Sequence, residues 1–247
     1  MRNKSVCFRV AALSTLMFVW VFGVGANSRA QSKPSFDFIL HNDLSEAEVA
    51  HLRAALRTSR PIVLAALGLE EMPLVTIQIW RNETAYQDAM EQTLGMRAPG
   101  SRGYVTGDSE IRLLFHRQLS AQREAVHEFV HAATLNLNPE FGNNPRWLWE
   151  AAAQYLAEEF VDPRTTEQFS GNQCPSLETL NSPFDRGGAI YRSGYLLGEF
   201  ISSEWGADSL PALIISNGDI EAVLQVSERE FQGRWCRFVQ DKYLQQP

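Results

Sequence analysis

Residues 120–137 contain neither proline nor glycine, and Ala125, Phe129, Ala132, Ala133 and Leu137 recur there at helical spacing. Such a segment folds as a helix packed along its apolar stripe, and this one also carries His127-Glu128-Phe129-Val130-His131. On a helix, positions i and i+4 share a face, so both imidazoles reach a single point. Glu128 sits one position round from His127, close enough to exchange a proton with a water held at that point without becoming a ligand. Metal-assisted hydrolysis needs this division of labour.

An ion that keeps an open position for water takes three protein ligands. Eighteen residues separate His131 from Glu150, enough to finish one helix, turn through the Asn, Pro and Gly residues of 138–144, and begin another. Asn144 as a capping side chain, followed by Pro145 at the first helical position, predicts the start of that second helix. It is expected to run to about Phe160. Glu150 falls among Leu148, Trp149 and Ala151–Ala153, where an unpaired carboxylate would be costly and a cation would remove the cost. The metal set is therefore His127, His131 and Glu150, with one Zn2+ expected.

The pentad, the gap of 18 and the Trp-Leu-x-Glu-Ala-x-Ala-x-Tyr stretch at Trp147–Tyr155 resemble the gluzincin metallopeptidases, in particular the short secreted branch described as peptidase MA-like. The resemblance extends from about Gly103 to the C-terminus. It implies a zincin-like fold, zinc on His127, His131 and Glu150, Glu128 as catalytic base and proton shuttle, and a peptide or protein substrate. It further implies a tyrosine from a later helix as oxyanion donor, Tyr191 first and Tyr195 second, and Gly103–Thr106 as the sheet edge that receives substrate. Two positions depart from the family pattern. Ala151 stands where glycine is common, and Gln154 stands where thermolysin-type relatives place an acid that orients a histidine. Glu124 and Glu158 are the expected substitutes for that acid. A zincin-like scaffold that only binds a partner at the cell envelope is the alternative; loss of the base would mark it, and Glu128 is present.

The N-terminus reads as an export signal over residues 1–30. Arg2, Lys4 and Arg9 precede an apolar run from Val10 to Val24, followed by Gly25, Ala26, Ser28 and Ala30. The run is shorter than the roughly 20 residues of a spanning helix, so no membrane association is expected after cleavage, and the product would be periplasmic or secreted. Removing the four basic side chains of this segment leaves 18 basic against 29 acidic residues, a net charge near −11. That balance disfavours nucleic acid as a partner. Cys174 and Cys236 would remain as an even pair in an oxidising compartment, where a disulfide is permitted.

Strands are expected at Phe36–His41 and around Val75–Ile79, and a hairpin at Gly103–Thr106 and Glu110–Phe115 turning on Gly107-Asp108. Helices are expected from Ser45 to about Leu67, from Asn82 to Leu94, and over 188–205, 208–216, 219–225 and 227–244, with 163–186 as a polar surface loop. Short strands followed by helices give an α+β fold: a small N-terminal mixed sheet, the site helix, then a mostly helical half, all within a single domain over residues 31–247.

Overall fold

The computed structural model describes residues 35–118, 120–182 and 188–245. The expected export signal, with Cys7, lies outside them. Four strands form one mixed sheet in the order β1-β2-β4-β3: β1 (Phe36–His41), β2 (Val75–Trp80), β3 (Gly103–Val105) and β4 (Glu110–Leu114). β1, β2 and β4 run parallel, and β3 turns back antiparallel on β4 at the edge. The architecture is α+β, with this sheet first and helices after it.

Alternation decides which face of the sheet is covered by what. Val75, Ile77, Ile79, Ile111 and Leu113 point into the main core, where they meet α1 (Glu46–Ala66) and the site helix α3 (Ala121–Leu137). The other face carries Trp80, and with Leu114 and Tyr104 it packs under Tyr86 and Met90 of α2 (Glu83–Leu94). Ser45 caps α1 in a reciprocal capping box with Glu48, and Gly95 closes α2 in the left-handed conformation.

Beyond α3 come α4 (Arg146–Leu156), α5 (Leu177–Asn181), α6 (Ala189–Trp205), α7 (Ser209–Ile215), α8 (Ile220–Leu224) and α9 (Glu228–Val239). Helices α4 and α6 approach closely because α6 presents glycine to α4. A Cβ on Gly198 would lie 2.4 Å from Tyr155 Cβ, and one on Gly194 would lie 2.8 Å from the Gln154 amide nitrogen. Close approach brings the start of α6 alongside Glu150.

Three expectations need correction. Helix α4 stops at Leu156 rather than Phe160, because Glu158 adopts a left-handed φ of 57° and the chain turns back, with Glu159 N–H donating to the Gln154 carbonyl. The first turn of α4 is not capped by Asn144. Asn181 of α5 does so instead, its side-chain oxygen accepting from Trp147 N–H. The described part of 163–186 is not a polar loop. It holds two short 3-10 segments and α5, buries Phe169, Leu177 and Leu180, and is tied to α9 by a Cys174–Cys236 disulfide.

Candidate metal centre

Helix α3 packs on the main-core face of the sheet and turns His127 and His131 toward α4, which supplies Glu150. All three side chains are buried. Glu150 Oε2 stands 3.3 Å from His127 Nε2 and 3.9 Å from His131 Nε2, and the three donor atoms lie within 4.8 Å of one another. Donors about 2.0–2.1 Å from a tetrahedral ion would stand roughly 3.3 Å apart, so these spacings fit a single ion with little adjustment. Glu150 Oε2 is buried without a hydrogen-bond partner among the described residues, which is how a carboxylate aimed at a cation looks. These residues form a site that could hold a metal ion.

The outer nitrogens of the two imidazoles have different surroundings. His127 Nδ1–H donates to Glu159 Oε2 at 2.9 Å, which fixes the ring with Nε2 facing Glu150. Glu159 therefore fills the role expected of Glu124 or Glu158. Glu124 is engaged by His116 at 2.6 Å, and Glu158 is the residue at the turn. Nothing in the sequence pattern singles out Glu159, since its position depends on where α4 ends. His131 Nδ1 is buried with no partner among the described residues, and its ring stacks on Trp149 with centroids 4.0 Å apart and planes 5° from parallel. Trp149 is buried and also lines the cleft.

Electrostatics follow from these neighbours. Burial opposes a charge on His127, but the carboxylates of Glu150 and Glu159 on either side outweigh it and hold the imidazole protonated well above its ordinary range. Burial and the charge on His127 keep His131 neutral, well below its ordinary range. Burial pushes the Glu128 carboxyl up to about 8, with Glu150 and Glu159 adding to the rise and His127 opposing it. A cation among these groups would draw the Glu128 carboxyl back toward ionisation.

The site opens into a cleft of about 780 Å³. Met90, Leu94, Met96 and Tyr104 supply apolar lining; Arg102, Arg146 and Tyr191 lie among the polar lining. The Tyr191 hydroxyl is 3.5 Å from Glu150 Oε1, and the Arg146 guanidinium lies 5.5 Å from the Tyr191 ring centre. Arg146 also donates to the carbonyls of Leu180 and Ser182, linking the first turn of α4 to the end of α5. Tyr195 does not line the cleft; it packs edge-on against Tyr155 and Phe160. Gln154 stays behind the site, where its amide donates to the Ile190 carbonyl. Among the described residues no helix is long and apolar enough to cross a membrane.

Compared with models of known protein families and with curated proteins, the chain matches none.

Proposed function

We propose that the protein is a zinc-dependent peptide-bond hydrolase. The observation that carries the reading is the donor set: two imidazole nitrogens and one buried carboxylate oxygen converge at ligand spacing beside a fourth group, Glu128, that is not a ligand. A set of two nitrogens and one oxygen suits zinc, and three protein ligands leave a position open for chemistry. When bound, the ion supplies the Lewis acidity that polarises the scissile carbonyl and acidifies water. Glu128 takes the proton from the attacking water and delivers it to the departing amine. The Tyr191 hydroxyl, already at the rim of the Glu150 carboxylate, donates to the oxyanion that develops on the carbonyl.

Two further features favour a peptide. Strand β3 forms the sheet edge beside the cleft, where an extended chain can add as a further strand. The lining residues Met90, Leu94 and Met96 offer apolar, flexible contact to a large side chain next to the scissile bond. The basic, apolar and small-residue pattern of residues 1–30 supports export, and a periplasmic or secreted setting agrees with the Cys174–Cys236 disulfide.

A quenched-fluorescence peptide library incubated with the zinc-loaded protein tests this reading. Cleavage should fall by about 10²–10⁴-fold in Glu128→Gln, while bound zinc stays at the wild-type level. Equal cleavage by wild type and Glu128→Gln would point to a contaminant and refute the assignment.

A further inference from the structure

Gly103 lies within β3, paired with Leu113 of β4, and its φ is outside the left-handed region that would demand a glycine. A glycine in a regular strand position weakens the strand and needs another reason. The surroundings supply one. A Cβ added at Gly103 would lie 2.5 Å from Glu128 Cγ, 2.6 Å from its Oε1 and 2.8 Å from its Cδ, so the three atoms it would meet nearest all belong to Glu128.

We infer that Gly103 is the positioning residue for the Glu128 carboxylate: the bare backbone of the edge strand forms the floor on which the base rests. This inference depends on the reading of Glu128 as the base, proposed above. Both ends of the strand are anchored without any help from a side chain at 103. Leu114 N–H donates to the Arg102 carbonyl, the Ser101 hydroxyl donates to the Gly103 carbonyl, and Thr106 N–H donates to the Glu110 carbonyl. A methyl group at 103 therefore displaces the Glu128 side chain rather than the strand. The nearest atom is Cγ, so the methyl forces Glu128 into another χ1 rotamer, which carries its carboxylate away, while the hydrogen-bonded strand, the helix and the metal ligands stay in place. Substrate added along this edge would pass over the same glycine, which makes Gly103 the point where base and substrate backbone meet.

The test is a cycle of Gly103→Ala, Glu128→Ala and the double variant. Three quantities are read: bound zinc, kcat/KM on a cleaved peptide, and the melting temperature of the metal-free protein. Gly103→Ala should keep its zinc and lose on the order of 100-fold in kcat/KM, mostly through kcat. In the Glu128→Ala background the same substitution should cost far less in kcat, any crowding of the substrate edge appearing in KM, and should lower the melting temperature less, because the space of the missing carboxylate receives the methyl. Should Gly103→Ala fail to fold, recovery of folding in the double variant supports the inference and its absence overturns it. A Gly103→Ala protein within about threefold of wild type, one that loses zinc, or equal losses in both backgrounds would also overturn it. If the wild type cleaves no peptide, the functional reading fails by itself, and the melting-temperature coupling still decides whether Gly103 and Glu128 share this space.

Discussion

His127 and His131 stand one turn apart on α3 and face the same carboxylate, yet opposite means hold them. His127 sits between two carboxylates, with Glu159 behind it and Glu150 in front, and it carries a proton in the metal-free protein. His131 lies flat on Trp149 with its outer nitrogen unsatisfied, and it stays neutral. One ligand is oriented by charge and must give up a proton to bind metal. The other is oriented by packing and is ready as it stands. Charge-assisted hydrogen bonds fix a ring about its axis more tightly than stacking does, so the His127 side should dominate both affinity and its pH dependence.

Breaking the charged side should have the larger effect. Glu159→Ala is expected to weaken metal binding by about 10–100-fold, read by competition with a chromophoric chelator. Metal uptake near neutrality should release about one proton from His127 and up to about one more from Glu128, so affinity should rise by roughly ten- to a hundredfold per pH unit until the pH passes about 8. Calorimetry in buffers of different protonation enthalpy measures the release, and Glu159→Gln should reduce it.

The same groups affect the stability of the metal-free fold. A histidine raised above its unfolded value stabilises the fold at low pH and loses that contribution as the pH rises through its folded value. The raised Glu128 carboxyl acts in the same direction as the pH passes about 8. The melting temperature of metal-free protein should therefore fall from neutrality through about pH 8, and metal should flatten that decline. Breaking the aromatic side should cost least. Aromatic pairs contribute about 0.5–1.5 kcal/mol, so Trp149→Leu should weaken metal binding by about two- to tenfold and leave proton release unchanged. A loss larger than that of Glu159→Ala would invert the comparison.

The same contrast explains what could be read from the sequence. The pentad and Glu150 were legible because helical spacing fixes a shared face and because a carboxylate among Leu148, Trp149 and alanines needs a partner. The sheet and the hairpin were legible from alternation and from Gly107. Glu159 was not, because its place depends on α4 ending at Leu156 and on a left-handed Glu158, a conformation that a glutamate does not announce. Asn181 as the cap of α4 and Trp149 as the platform of His131 are contacts between separate elements, and no local pattern encodes them. Gly103 reads as an ordinary strand residue until the position of Glu128 on the neighbouring helix is known.

Metal content measured on wild type and on Glu150→Ala tests the centre most directly. The account predicts about one zinc per chain in the wild type and a sharp fall in the variant, in which only the two imidazoles remain. Wild-type protein that takes up no zinc, or a Glu150→Ala protein that binds it equally well, would contradict the account.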